Sequence, residues 1–208
     1  KMQNSIDFRD HANLMMNKYL EGEMRIGEAY SYGAELMVKK QMGSLTGWLG
    51  YTWSKTRMKI DDVNQGKEYP TTYDKPHDVS VILSYDITDR INVSTTWVYS
   101  TGAPRTMPTG RGEYGNMVFP VFSNRNGERL PDYHRMDLSC TIDGREKRRD
   151  GSPRKFNSSW NFSIYNLYNR HNAYSINFRQ HPEKPHVTQA EKLYLFKIFP
   201  SITYNFSF

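Results

Sequence analysis

Apolar and polar residues alternate one by one in six stretches of the chain. Successive side chains of a β-strand point to opposite faces of a sheet, so this alternation predicts strands with one apolar and one polar face. Clear stretches lie at 29–40, 44–56, 77–86, 91–100 and 133–143. The longest is at the end, with one face made of Tyr194, Phe196, Ile198, Pro200, Ile202, Tyr204, Phe206 and Phe208. The pattern predicts an all-β fold.

The predicted strands have the length and the aromatic residues typical of strands that cross a membrane. They are about 9–17 residues long, and about 9–11 tilted residues cross a bilayer. Tyr and Trp lie near the ends of the apolar face, for example at Trp53, Trp97 and Tyr99, and such rings favour the membrane–water interface. The opposite face is mostly Ser, Thr, Asn and Gly, as a water-filled lumen requires. We therefore predict a transmembrane antiparallel up-and-down β-barrel.

The composition agrees with a barrel wall and argues against other classes of protein. Only 37% of the 208 residues are hydrophobic, whereas 14% are aromatic. A barrel needs only every second strand residue to be apolar, which explains the low share, and disordered chains are poor in aromatics. The mean hydropathy of -0.78 argues against helical membrane spans. The single cysteine, Cys140, excludes an internal disulfide and a Cys-based zinc site.

The links between predicted strands alternate between short and long. Links 41–43 and 86–90 are short, whereas links 57–76 and 101–132 are long. Outer-membrane barrels have short periplasmic turns, long extracellular loops and a periplasmic C-terminus. Counting strands backward from Phe208 puts both long links outside and both short links inside, which supports the barrel prediction.

The remaining segments bring the prediction to about eight strands. A weakly patterned strand within 1–13 precedes one over 21–40. Residues 157–179 are predicted as one long, bulged strand that is broken near 166–172. An outer loop over 180–191 then leads to the final strand.

The first residues carry no recognisable targeting signal. Lys1 is followed by Met2, Gln3 and Asn4, without an apolar stretch or a small-residue cleavage site. Two interpretations remain open: an intracellular protein, or an internal piece of a longer chain.

Five motifs resemble the barrel of TonB-dependent outer-membrane receptors, with a composition similar to receptors from the Bacteroidota. They lie at 27–36 (GEAYSYGAEL), 47–54 (GWLGYTWS), 73–78 (YDKPHD), 129–138 (RLPDYHRMDL) and 166–169 (NLYN). The resemblance implies that residues 1–208 form about eight C-terminal strands of a 22-stranded barrel, without its plug and earlier strands. The terminal aromatic residues resemble the signal that the barrel assembly machinery recognises: Tyr204, Phe206 and Phe208.

The resemblance also implies a function, a location and partners. Such a receptor lies in the outer membrane of a Gram-negative bacterium and takes up a scarce nutrient: a siderophore, haem, cobalamin, a glycan or a peptide. The TonB complex acts through the plug, which this chain lacks. The other implied partners are the barrel assembly machinery, outer-membrane lipids and a surface lipoprotein. Neither a nucleic acid nor a cofactor is expected.

Candidate ligand-binding residues lie in the two long links, because binding residues concentrate on loops carried by a rigid scaffold. Aromatic rings stack on sugar or porphyrin faces, and arginines pair with carboxylates. The candidates are Tyr69 and Tyr73 in one link and Arg105, Arg111, Tyr114, Phe119 and Phe122 in the other. No catalytic motif and no metal-ligand spacing is recognisable, so we predict neither an enzyme nor a metal site.

Two other interpretations stay open. The first is a complete eight-stranded outer-membrane barrel, either structural and porin-like or a membrane-embedded hydrolase or acyltransferase. The second is a basic soluble β-protein that binds nucleic acid, suggested by the net charge of +6 and the basic residues of link 144–156. We interpret that link as a solvated periplasmic turn, because it joins two strands of membrane-spanning length.

Overall fold

The computed structural model describes residues 1–10, 12, 17–115, 117–145, 147, 152, 154 and 156–207. These residues form an all-β structure in which every strand pairing is antiparallel, with two short 3-10 helices at Leu20–Glu23 and Asn64–Gly66. The strands are β1 (Met2–Phe8), β2 (Met24–Lys40), β3 (Leu45–Lys59), β4 (Tyr69–Pro70), β5 (His77–Thr88), β6 (Ile91–Ser100), β7 (Pro104–Arg105), β8 (Pro108–Tyr114), β9 (Met117–Phe122), β10 (Glu128–Arg129), β11 (Tyr133–Asp143), β12 (Asn157–Tyr165), β13 (Ser175–His181), β14 (Lys184–Leu193) and β15 (Phe199–Ser207). None of the helices is long and apolar enough to cross a membrane among the residues described.

Eight strands form the main sheet in the order β1-β2-β3-β5-β6-β11-β12-β15, and the short β4 adds to β3. The order follows the chain, so the sheet is an up-and-down meander. The meander thus has eight strands, the number predicted, including the weak first one, whereas the short β4 and the strands of the long links were not predicted. Within the described residues β1 and β15 do not pair, so both are edges of an open sheet.

The register of the main sheet brings the apolar residues of successive strands onto one face. One row of directly opposed residues runs across five strands through Val38, Leu49, Val81, Trp97 and Met136. A second row runs across three strands through Ile142, Trp160 and Tyr204. Opposed residues of paired strands share a face. The alternation in the sequence therefore produces a continuous apolar face.

The opposite face is polar, and its side chains hydrogen-bond across the strands. Asn92 donates from Nδ2 to Ser84 Oγ and Asp86 Oδ1, both at 2.7 Å. Asn161 likewise donates to side chains of β11, and Ser163 and Ser201 share a hydrogen bond of 2.7 Å. Hydrogen bonding of this kind satisfies polar groups without an apolar core.

The apolar face is not covered by any described part of the chain. Leu36 is 56% exposed and Ile202 is 66% exposed. The accessible surface is 15204 Å², whereas a compact protein of this mass exposes about 10,000 Å². The few buried apolar residues lie at one end of the sheet: Ala29, Ile60, Val63 and Tyr69. The sheet is therefore not the wall of a self-contained globular core.

The links fall into two groups at opposite ends of the sheet. The short-link end carries the links 41–44, 89–90 and 144–156. The long-link end carries the links 9–23, 60–76, 101–132 and 166–198. Strand β15 starts at the long-link end, where Phe199 pairs with Tyr165, and runs to the short-link end. The predicted alternation of short and long links is confirmed.

One predicted strand is wrong. The long strand predicted over 157–179 ends at Tyr165, because Asn166 and Asn169 adopt left-handed backbone angles, with φ of 54° and 52°, and turn the chain away. The predicted loop 180–191 is part of a separate hairpin in which β13 pairs with β14. The last strand of the main sheet accordingly starts at Phe199.

Candidate ligand-binding site

A small buried cluster fixes the 60–76 link against the sheet. Ile60, Val63 and Tyr69 pack together, and Tyr69 pairs with Met58 as β4 adds to β3. The Tyr69 hydroxyl donates to Asp7 Oδ2 at 2.9 Å. Burial, followed by this hydrogen bond to a carboxylate, raises the pKa of the Tyr69 phenol. Tyr69 thus connects the link to β1.

A buried ion pair joins the 60–76 link to the 101–132 link. The Asp74 side chain is fully buried and accepts a hydrogen bond from the Thr56 N–H at 2.7 Å. The Arg129 guanidinium contacts the Asp74 carboxylate and donates to the carbonyl oxygens of Asp74 at 2.6 Å and Gly102 at 2.9 Å. The guanidinium therefore binds two groups of Asp74 in the 60–76 link and the Gly102 carbonyl in the 101–132 link.

A second cation, Arg125, connects the 101–132 link to the first strand. It donates from Nη2 to the Phe8 carbonyl at 2.8 Å, and it lies 3.9 Å from an Asp7 carboxylate oxygen and 4.0 Å from an Asp10 oxygen. Its own N–H donates to Asn64 Oδ1 at 2.6 Å. The two links and β1 thus form one junction at the long-link end.

Asp132 extends this junction to the 166–198 link. Its carboxylate accepts hydrogen bonds from the Gly102 N–H at 2.9 Å and the Tyr99 hydroxyl at 2.7 Å, and Arg170 donates to its carbonyl oxygen at 3.0 Å. The hydrogen bond from the Gly102 backbone, followed by that from Tyr99, lowers the pKa of Asp132. Asp132 is therefore held ionised at neutral pH.

Two hairpins lie beside this junction and line an open cavity of about 1170 Å³. One is the β8–β9 hairpin of the 101–132 link, and the other is the β13–β14 hairpin of the 166–198 link. Three arginines line the cavity: Arg105, Arg111 and Arg179. Four aromatic residues also line it: Phe119, Phe122, Tyr174 and Phe178. The wall is therefore both cationic and aromatic.

Glycine lets one of these rings lie close to the hairpin backbone. A Cβ atom built on Gly112 would clash with the Phe119 ring, so the ring lies directly over Gly112. Their strand positions oppose each other in the β8–β9 pairing. Gly112 thereby determines how far the Phe119 ring reaches along the cavity wall.

The structure brings four of the seven predicted ligand-binding residues into the cavity wall: Arg105, Arg111, Phe119 and Phe122. Tyr114 lies at the end of β8 and is 79% exposed, outside the wall. Tyr73 is 88% exposed and also lies outside it, whereas Tyr69 is buried in the junction. The two predicted groups of residues are thus not one site.

Sequence reasoning missed the contribution of the β13–β14 hairpin. Tyr174, Phe178 and Arg179 line the cavity, but they fall in the stretch predicted as a membrane-crossing strand. The only local signal is the asparagine-rich turn that contains Asn166 and Asn169.

A second, smaller cavity of about 340 Å³ lies beside Arg135 on the polar face of β11. Arg135 donates from Nη1 to the hydroxyls of Tyr165 at 2.7 Å and Tyr133 at 3.1 Å, and it pairs with Asp137 at 2.9 Å. Its guanidinium carbon also lies 4.2 Å from the centre of the Tyr165 ring. These contacts already occupy the guanidinium, so we assign Arg135 a structural role and not a ligand-binding one.

The other sequence predictions fall on different parts of the chain. Tyr204 and Phe206 lie on the exposed apolar face of β15, whereas Phe208 is outside the described residues. The basic link 144–156 lies at the short-link end and is described only in part. No group of three His, Cys, Asp or Glu residues that could hold a metal ion occurs in the described portion.

Three comparisons of the chain with known proteins found no match. No protein-family model matches it, and neither a curated protein nor a solved structure does. Any assignment of function therefore rests on the sequence motifs and on the geometry above.

Proposed function

We propose that the chain is the C-terminal segment of the barrel of a TonB-dependent receptor, which takes up a scarce nutrient across the outer membrane of a Gram-negative bacterium. The observation that carries this proposal is the register, which joins the apolar residues of successive strands into one exposed face. Such a face needs an apolar medium against it, and the acyl chains of a membrane provide one.

The dimensions of the sheet support the membrane environment. Five strands, β5, β6, β11, β12 and β15, have 12, 10, 11, 9 and 9 residues, close to the roughly 9–11 that a tilted strand needs to cross the hydrocarbon. On the apolar face, Tyr32 contacts Trp53, which lies opposite His77 at the long-link end of β5, and Trp160 contacts Tyr204 near the short-link end. Two aromatic groups of this kind are typical of the two membrane interfaces.

The distribution of links supports one orientation of the sheet in the outer membrane. The long-link end carries the hairpins, the junction and the larger cavity, and it corresponds to the extracellular side. The short-link end corresponds to the periplasmic side, where β15 ends. This matches the short periplasmic turns and long outer loops of known barrels.

The open edges of the sheet support a barrel larger than these eight strands. In lipid, an unpaired strand edge leaves backbone N–H and C=O groups without partners, at a cost of several kcal/mol per group. Both β1 and β15 have such an edge among the described residues. We therefore propose that further strands of a 22-stranded barrel cover both edges.

The proposed mechanism gives the wall and the links different roles. The wall is a hydrogen-bonded scaffold that the assembly machinery inserts, and the cavity at the long-link end binds the ligand at the cell surface. TonB, driven by the inner-membrane proton gradient, then acts through a plug so that the ligand passes to the periplasm. The junction built by Asp74, Arg125, Arg129 and Asp132 holds the outer hairpins in position while the plug moves.

A complete eight-stranded barrel is the second candidate, because the main sheet has eight strands. Small barrels fill their interior with large side chains. Several positions of the polar face here are instead small, such as Gly50, Ser80, Ser94 and Ser139, although Trp48 and Ile82 also lie on it. Small residues suit a wide lumen, so we favour the larger barrel.

The mass of the native polypeptide tests this proposal. We expect it to co-purify with outer membranes and to have an intact mass far above the 24.4 kDa of these residues. A membrane polypeptide near 24 kDa would exclude the receptor and favour the eight-stranded barrel. Recovery from the soluble fraction without detergent would exclude both.

A further inference from the structure

We propose that the cavity between the β8–β9 and β13–β14 hairpins binds a multiply charged anion with a flat apolar body, such as an aromatic polycarboxylate. This inference deepens the proposed function, and it rests on that function for the assignment of the cavity to the cell surface. It specifies the chemistry of the ligand through the residues that line the cavity.

The charge of the wall selects an anion. Three arginines are among the residues that line the cavity, Arg105, Arg111 and Arg179, and its described lining residues include neither Asp nor Glu. Arg groups recognise carboxylate, sulfonate or phosphate through paired hydrogen bonds. A cationic ligand would be repelled by this wall.

The arginines differ in the partners they already have. Arg111 lies 3.8 Å from Glu113 and Arg179 lies 3.3 Å from Glu191, and all four side chains are at least 43% exposed. Exposed pairs of this kind are weak, so a ligand can displace the carboxylates. Arg105 donates to the Pro104 carbonyl at 3.1 Å, and no described carboxylate lies within 4 Å of it.

The remainder of the wall selects a flat apolar body. Phe119, Phe122 and Tyr174 are 47%, 57% and 64% exposed and lie on or beside the hairpins, outside the main sheet. Covering such rings is favourable by about 25 cal/mol for each Å² of apolar surface removed from water. Stacking adds to this gain, because arginine and aromatic side chains both offer planar surfaces.

The size of the cavity sets the scale of the ligand. Sites for drug-sized molecules measure roughly 300–1,000 Å³, and this cavity of about 1170 Å³ lies just above that range. It therefore accommodates a fused-ring or multi-ring molecule with several charged groups.

Pyranine, a four-ring aromatic trisulfonate, is a suitable probe, because its charges keep it out of non-ionic detergent micelles. We expect the purified protein to raise the fluorescence anisotropy of pyranine and to leave that of proflavine, a cationic three-ring dye, unchanged. The double variant Arg105→Gln/Arg111→Gln is expected to weaken pyranine binding at least 10-fold, and Phe178→Ala several-fold.

The matched control is Lys184→Gln/Lys192→Gln, which removes the same charge from the β13–β14 hairpin outside the cavity wall. It is expected to bind pyranine within about twofold of the wild type. Equal weakening by the two double variants would overturn the site in favour of non-specific attraction to a basic surface. Equal binding of pyranine and proflavine by the wild type would also overturn it.

The pyranine test can overturn the ligand proposal without overturning the receptor proposal, and the mass measurement can do the reverse. A large outer-membrane polypeptide that ignores pyranine would overturn the ligand chemistry alone. A 24 kDa or soluble polypeptide that binds pyranine through these arginines would overturn the receptor and retain the anion site.

Discussion

Replacing Val81 with arginine is expected to destabilise the protein in its membrane by about 2–4 kcal/mol. Val81 lies near the middle of β5 on the apolar face, between Leu49 of β3 and Trp97 of β6. In a bilayer an arginine at this position faces the hydrocarbon, and it must distort the bilayer or the strand to reach water. The measurement is the free energy of unfolding in lipid vesicles, from urea titrations followed by tryptophan fluorescence.

The neighbouring residue provides a matched control. Ser80 belongs to the same strand but lies on the polar face, opposite Gly50 and Val98. Ser80→Arg is expected to change the free energy of unfolding by less than about 1 kcal/mol, because the new charge faces a wet lumen. If V81R is tolerated as well as S80R, then water rather than lipid covers the apolar face, and the barrel account is wrong.

Replacing Asp74 with alanine is expected to cost about 3 kcal/mol of stability. The change removes the carboxylate that faces Arg129 and leaves the Thr56 N–H without its acceptor. Removing one partner of a buried pair costs several kcal/mol, and the 31% exposure of the Arg129 side chain reduces that cost. Urea unfolding measures the loss, and limited proteolysis is expected to cleave the 101–132 link faster in the variant.

Asp62 provides the control for Asp74. It pairs with Arg25 at 2.8 Å, but its side chain is 63% exposed. Its backbone is left-handed, with φ of 62°, which asparagine tolerates, so Asp62→Asn is expected to cost less than about 1 kcal/mol. Indistinguishable costs for the two variants would mean that the Asp74–Arg129 pair does not hold the junction together. The outer hairpins would then need another explanation for their position.

The faces and the direction of the strands could be predicted from the sequence, because both depend on local patterns. Alternation assigns Val81 and Ser80 to opposite faces without any knowledge of neighbouring strands. Short links such as 41–44 and long ones such as 101–132 can be measured directly on the chain. The register then follows, since a slip by one residue would move the apolar residues of a strand to the wrong face.

The β13–β14 hairpin could not be recognised in the same way. Its first strand, β13, alternates just as strands of the main sheet do, so Phe178 and Arg179 continue the pattern of β12 without a change of period. The separation depends on the backbone angles of Asn166 and Asn169, and the left-handed region is only a weak preference of asparagine. Alternation alone therefore predicted a strand that is too long.

The candidate site, too, could be predicted from the sequence only in part. Arg105, Arg111, Phe119 and Phe122 could be assigned to it because they lie in an obvious long link. Tyr69 met the same criterion, yet it is buried, because β4 pairs with β3 and carries its ring into the junction. Contacts between distant segments decide which residues of a link face a cavity. The type of a residue alone does not predict those contacts.

The contact between the apolar face and lipid is the central claim, and two of the four tryptophans allow a direct test. Trp97 lies on the apolar face, whereas Trp48 lies on the polar face with its ring against Gly50. The measurement uses variants that retain a single tryptophan, reconstituted in vesicles with bromine on the lipid acyl chains. We predict strong quenching of Trp97 fluorescence and little quenching of Trp48. Equal quenching of both, or none of Trp97, would contradict the proposed membrane barrel.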